Sequence, residues 1–240
     1  MKSKRKKIVL ITGASRGIGQ EILKKLESEK IYQIVFTYNK QKVNITKKDT
    51  IGFKCNLERK KDIDNLLKKV QNKFNKLPDI FIGNAGISQI KDFKKINLRD
   101  IKKIFEINFF SNFYFTQKLI TNMMQNKFGR IIFISSIGGQ WGGVNQVHYA
   151  ASKAALINLS RSLSKLYSKF GVLSNSIAVG LVKTKMSKKE ILKNKKIKLN
   201  IPMQRFGEKE EIADAVSFLC SKKSSYITGQ TINLNGGMLS

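Results

Sequence analysis

Short, uninterrupted apolar runs recur along this chain, each followed by a stretch of helical periodicity, and that alternation limits the possible architectures more than any other feature. The first run is Ile8-Val9-Leu10-Ile11; Ile34 to Tyr38, Ile51 to Cys55, Ile80-Phe81-Ile82 and Ile131 to Ile134 follow. A strand with one wet face alternates apolar and polar residues. A run that is apolar throughout is buried on both faces, as in a parallel sheet between two helical layers. Between the runs, Ile18, Ile22 and Leu26 mark one apolar helix stripe, and Ile63, Leu66, Leu67, Val70 and Phe74 mark another. Longer periodic stretches run from about Asn97 to Met124 and from Tyr149 to about Lys169. With 240 residues, 2 prolines, no Gly/Ser-rich linker and no solenoid repeat, the chain is expected to form one α/β domain over residues 1–240. That domain is doubly wound, a Rossmann-type, mostly parallel sheet with helices on both faces.

Charge enters because 46 basic residues face 16 acidic ones, a net +30 that would suit nucleic acid, an anionic membrane or an acidic protein. Only seven of the basic residues are arginine, the residue that specific phosphate and base recognition usually recruits, and the lysines are spread over every segment. A dedicated nucleic-acid face is therefore not expected. Cys55 and Cys220 belong to no CxxC or Cys/His cluster and read as reduced, buried thiols. His148 is the single histidine, so a His-based metal site is not expected either. Lys4-Arg5-Lys6-Lys7 resembles a signal-peptide n-region, but the apolar run behind it is too short for an h-region or a membrane span. The expectation is a soluble, unprocessed, cytoplasmic protein.

The first apolar run leads directly into Thr12-Gly13-Ala14-Ser15-Arg16-Gly17-Ile18-Gly19 and then a helix. Glycines between a strand and a helix let the backbone approach a pyrophosphate, and the helix N-terminus supplies free N–H groups with partial positive charge. Gly13, Gly17 and Gly19 do not have the G-x-G-x-x-G spacing of the dinucleotide-binding dehydrogenases. At the end of the second run an acidic side chain would bond the ribose 2′-hydroxyl of NAD and repel the 2′-phosphate of NADP. This chain has Thr37-Tyr38-Asn39-Lys40 there, and Lys40 together with Arg16 could pair with that phosphate, so NADPH is expected over NADH. Asn56-Leu57 ends the third run, where an amide could meet the adenine edge, and Asn84-Ala85-Gly86 leaves room for a ligand at the end of the fourth.

Asn108 stands among Phe105, Ile107, Phe109 and Phe110, a poor place for an amide unless its hydrogen bonds are met. Ser136 closes the fifth run, and thirteen residues further on stands Tyr149. Tyr149 and Lys153 are four apart at the head of a periodic stretch, so a helix holds phenol and ammonium on one face. A nearby positive charge favours the phenolate, bringing a tyrosine towards the pH at which it can give or take a proton.

Together, Thr12-Gly13-x-x-x-Gly17-x-Gly19, Asn84-Ala85-Gly86, Asn108, Ser136 and Tyr149-x-x-x-Lys153 resemble the short-chain dehydrogenase/reductase family in order and spacing over essentially the whole chain. Ile201-Pro202-Met203-Gln204-Arg205-Phe206-Gly207 and Tyr226-Ile227-Thr228-Gly229-Gln230 to Gly237 make it most similar to the 3-oxoacyl-[acyl-carrier-protein] reductases. The resemblance implies hydride transfer from NADPH to a ketone, with Tyr149 as general acid, Ser136 holding the carbonyl oxygen, Lys153 tuning the phenol and bonding the nicotinamide ribose, and Asn108 holding a water that reprotonates the lysine. It further implies that Val182 faces the carboxamide, that Thr184 faces the phosphates, and that a mobile cover at about 186–200 closes over substrate. An acyl thioester on acyl carrier protein and a homotetramer also follow by resemblance. One departure is Val179-Gly180 where the family has Pro-Gly, which restores a backbone N–H and frees φ. The cover's lysines suit an anionic or carrier-bound substrate, with Lys127 and Lys169 as a possible extension of the same rim. A reductase for another ketone, such as a polyketide, and a nucleotide-sensing or RNA-associated binding protein are the competing readings.

Overall fold

The computed structural model describes residues 6–40, 48–184 and 195–239, with only the backbone of 195–197. Seven strands form one sheet: β1 (Lys7–Ile11), β2 (Tyr32–Tyr38), β3 (Thr50–Lys54), β4 (Ile80–Gly83), β5 (Gly129–Ser136), β6 (Val172–Val179) and β7 (Thr231–Leu234). Their order is β3-β2-β1-β4-β5-β6-β7 and every neighbouring pair is parallel. The chain winds outward from β1 to β3, then crosses back to β4 and winds the other way. The carboxyl ends of β1 and β4 therefore flank the crevice where a doubly wound sheet takes its ligand.

The two faces of the sheet are sorted by strand periodicity. In β1, Val9 and Ile11 pack on one side with Ile22, Leu23 and Leu26 of α1 (Gly17–Ser28). Ile8 and Leu10 pack on the other with Ile63, Leu66 and Val70 of α2 (Lys60–Phe74). Each fully buried side chain of this size contributes roughly 1.5–3 kcal/mol relative to exposure. The second layer also holds α3 (Leu98–Phe105), α4 (Ser111–Gln125), the short α5 (Gly138–Trp141) and α6 (Val147–Tyr167); α7 (Lys209–Cys220) packs beside α1.

The five apolar runs all become strands, and two further strands had no such signature. In β6, Ser174-Asn175-Ser176 interrupts the apolar pattern at buried positions, and β7 is only half-buried. The polar residues of β6 are satisfied sideways: Ser174 Oγ lies 3.1 Å from Ser160 Oγ, and Asn175 Nδ2 donates to Ile227 O at 2.8 Å. The stretch from Asn97 to Met124 is two helices, α3 and α4, joined without a break by a π-helical turn, Glu106–Phe110. Val179, in place of the family proline, simply prolongs β6: it pairs with Ser136 and Leu234, and its carbonyl accepts from Ile137 N at 3.0 Å. Cys55 and Cys220 are free and buried, and burial pushes the Cys55 thiol up to about 12.

Candidate active site

The glycine turn after β1 is built as a cradle. Gly13 and Gly17 have φ of +68° and +60°, conformations that side chains resist. A Cβ on Gly19 would stand 2.3 Å from Asn84 Nδ2 and 2.6 Å from Gly13 O. Arg16 is the N-cap of α1 and makes no side-chain cap, so the first N–H groups of the helix meet no side chain of the turn. Thr12, which opens the glycine motif but received no role from the sequence, ties β1 to β4: its Oγ1 accepts from Asn84 N and Ala85 N, both at 3.1 Å. Asn84 Nδ2 returns to Thr12 O at 2.9 Å and Gly13 O at 3.1 Å. Thr37 does the same towards β2, accepting from Gly13 N at Oγ1 and from Ala14 N at its carbonyl, each at 3.1 Å. The signal for both was a polar residue ending a buried strand.

These bonds bring the turn holding Ser15, Arg16 and Ile18 beside the end of β2, where Asn39 and Lys40 are exposed and no acid follows. Cys55 N donates to Tyr38 O at 2.9 Å, adding Asn56 and Leu57 to the same edge. The amide oxygen of Asn56 is committed to Glu58 N, and its backbone N–H to Asp62 Oδ2. On the far side, Val182 forms a bridge with Gly207 and is buried; Thr184 stands half-buried at the last described position of that loop.

Across the switch point the chemistry-bearing side chains come together. Lys153, 4% exposed, donates to Ile134 O at 2.7 Å and lies 5.8 Å from the centre of the Tyr149 ring. Burial away from water disfavours its ammonium and holds it near 8, well below the ordinary lysine value. Ser135, another residue without a sequence signal, donates from Oγ to Lys153 O at 2.9 Å and fixes this turn of α6 to β5. Ser136 Oγ accepts from Gly138 N at 3.2 Å. A Cβ on Gly138 would stand 3.6 Å from that oxygen and 4.0 Å from Ala150 Cβ, so the serine and the first turn of α6 share one neighbourhood.

Asn108 is fully buried in the π-helical turn, and its amide is used at both ends. Oδ1 accepts from Ile87 N at 2.9 Å; Nδ2 donates to Ile87 O and Ser152 Oγ, both at 3.0 Å. A Cβ on Gly86 would stand 3.3 Å from both Asn108 Oδ1 and Lys153 Nζ, which explains a glycine there. Lys127 and Lys169 do not extend the rim of this site. They precede β5 and β6 at the amino ends of the strands, an eight-residue strand or roughly 25 Å from Ser136. Of the expected cover, residues 186–194 lie outside the described residues; Lys195–Asn200 is a 3₁₀ helix, after which Met203 N is anchored on Gly236 O at 3.1 Å. Among the described residues no cluster of His, Cys, Asp and Glu could hold a metal, and no helix is long and apolar enough to cross a membrane.

A glycine cradle at the switch point of an all-parallel sheet, faced by a Tyr–Lys pair on one helix, defines a doubly wound protein of the nucleotide-binding kind. Residues 13–239 match the family model described as enoyl-(acyl carrier protein) reductase. Relatives named 3-oxoacyl-[acyl-carrier-protein] reductase FabG include that of Rickettsia felis, 40% identical with 97% of each chain covered, and that of Buchnera aphidicola from Schizaphis graminum, 39% identical with the same coverage. The one from Aquifex aeolicus is 36% identical, again over 97% of each chain. The chain belongs to the short-chain dehydrogenase/reductase family.

Proposed function

We propose that the protein reduces a 3-oxoacyl thioester carried on acyl carrier protein to the 3-hydroxyacyl thioester, with NADPH as reductant, in cytoplasmic fatty acid synthesis. The observation that carries this reading is a buried lysine one helical turn from a half-buried tyrosine at the switch point, with Gly86 leaving space beside the ammonium. The glycine cradle suits a dinucleotide pyrophosphate, with Gly13, Ser15, Gly17, Ile18 and Gly19 around it. Exposed Arg16 and Lys40, without an acid nearby, favour a 2′-phosphate. Asn56 and Leu57 would flank the adenine; Asn84, Ala85, Gly86, Val182 and Thr184 would border the nicotinamide end.

A bound nicotinamide cofactor supplies the hydride. Tyr149 donates a proton to the carbonyl oxygen, and Ser136 holds that oxygen by its hydroxyl. Lys153 stabilises the phenolate left behind and binds ribose hydroxyls. Both amide hydrogens of Asn108 are spent, so a water on the route to Lys153 would donate to its remaining lone pair. The description of the family model names enoyl reduction. The relatives' names point to a ketone, and a serine hydroxyl near the first turn of the helix that carries Tyr149 suits an oxygen acceptor.

Tyr149→Phe is expected to lower turnover of an acetoacetyl thioester at least about 10²-fold, with NADPH binding, followed by fluorescence, within two-fold of wild type. Near-normal turnover would refute the acid role. Equal activity on small free ketones would remove the thioester specificity. Assembly as a homotetramer is part of the proposal, supported by an apolar groove of about 690 Å³ between α4 and α6, lined by Phe109, Phe113, Leu159 and Leu166 among others.

A further inference from the structure

His148 is buried to 4% exposure immediately before Tyr149, and no step above uses it. Its Nε2 lies 3.0 Å from Gln89 Oε1, and Gln89 Nε2 donates to Asp100 Oδ1 at 3.2 Å. The other oxygen of Asp100 accepts Lys91 Nζ at 2.5 Å and Asn97 N at 3.2 Å, bonds that hold its carboxyl down at about 2. An ionised carboxylate can only accept. Gln89 must therefore turn its nitrogen to Asp100 and its oxygen to His148, so the imidazole carries its hydrogen on Nε2. Its Nδ1 is buried without a partner among the described residues, and burial disfavours the charged form of the ring.

This chain of bonds meets a second anchor on the same segment. Asn108 holds Ile87 by both its N–H and its carbonyl, while Lys91 N donates to Asn145 O at 2.9 Å. The strip from Gly86 to Lys91 is thus fixed at its start by the π-helical turn and at its end by the entry to α6. Gly86, at the head of the strip, is the wall against Lys153 Nζ.

We infer that His148 is a positioning residue: through Gln89 and Asp100 it sets the placement of the Gly86–Lys91 strip relative to the first turn of α6, and hence of the wall beside Lys153 relative to the Tyr149 phenol. The inference rests on the reading of Tyr149 as the acid. The charged groups facing the ring are Asp100 from α3, which favours protonation, and Lys91 from the strip, which opposes it; α5 brings none, and Tyr149 is its neighbour on α6. Burial outweighs Asp100 and pushes the imidazole below its ordinary value. Protonation would bury an Nδ1–H without an acceptor, so acid should loosen the strip from α6 and lower turnover.

The test is NADPH-dependent acetoacetyl-thioester reduction by the protein between pH 5 and 9, for His148→Leu, Gln89→Leu, the double variant and His148→Gln. Each leucine variant is expected to lose about ten-fold in kcat, with the Kd for NADPH within two-fold of wild type, since small misplacements of a reacting geometry are costly. The double variant should be no worse than either single one, because both break the same chain. His148→Gln keeps an N–H at the Nε2 position for Gln89; it should recover to within about three-fold and lack the acid limb that protonation of the histidine is expected to give wild type. Multiplicative losses in the double variant, or unchanged kcat with only a lowered Tm, would overturn the assignment. If His148→Leu does not fold, the kcat and pH profile of Gln89→Leu decide. Tyr149→Phe separates the layers: if it is active, the underlying reading fails; if it is inactive while His148 and Gln89 variants are normal, only this inference fails.

Discussion

Lys153 shows at the scale of one residue how function and stability oppose each other. Its depressed folded value means that the unfolded chain binds the proton more tightly between about pH 8 and 10.5. The cost of burying the ammonium is therefore fully felt below pH 8, on the order of 3 kcal/mol, and fades as pH rises through that window. Lys153→Met should abolish turnover yet raise the stability of the cofactor-free protein at pH 7 by about 1–2 kcal/mol, a few degrees in Tm. The difference should vanish near pH 10.5, and thermal melts across pH would measure it. A variant that melts lower than wild type at pH 7 would contradict the desolvation account. The Tyr–Lys spacing was legible because i and i+4 share a helix face whatever the fold. The burial of the lysine was not, because it depends on β5 and the Gly86 strip closing over it.

Among elements, α5 and α6 are closely fitted at the site. A Cβ on Gly139 would stand 2.8 Å from both Ala154 N and Lys153 C, backbone atoms that cannot rotate away. Gly139→Ala is thus expected to cost about 1–3 kcal/mol by denaturant melts and to lower turnover by displacing the turn that carries Lys153. The π-helical turn teaches a related lesson. Asn108 was conspicuous in the sequence as an amide in an apolar helix, yet the wide turn that aims it at Ile87 and Ser152 has no local code. It exists because the strip after β4 and the start of α6 offer three hydrogen bonds there. Asn108→Leu leaves Ile87 N–H and C=O without these partners and should cost roughly 2–4 kcal/mol, read by the same melts.

For the whole molecule, the charge of +30 and the α4–α6 face are the features a single subunit does not explain. Phe113 and Leu166 remain 39% and 57% exposed on a groove whose floor is apolar, a poor arrangement for a surface in water. Leu166→Glu should leave the subunit folded, since it faces outward, but shift its mass in light scattering from the proposed tetramer towards smaller species. An unchanged mass would place the assembly surface elsewhere. The lysines add a second expectation: reduction of a carrier-bound thioester should slow by more than about three-fold between 50 and 300 mM salt, while a free acyl thioester is little affected, because only the acidic carrier is steered by charge.

By itself the sequence determined the layered α/β class, five of the seven strands, the glycine turn, and the identity and order of the chemistry-bearing residues. Each of these is encoded in local periodicity or in a short spacing. Tertiary structure alone decided that Ser174-Asn175-Ser176 lies in a buried strand, that Lys127 and Lys169 sit at the strand ends remote from Ser136, and that Thr12, Thr37, Ser135 and His148 brace the site. The physical reason is the same throughout. A hydrogen bond or a desolvated charge belongs to whichever segments the fold brings together, and residues 72 apart in the chain, as Thr12 and Asn84 are, carry no mark of their meeting.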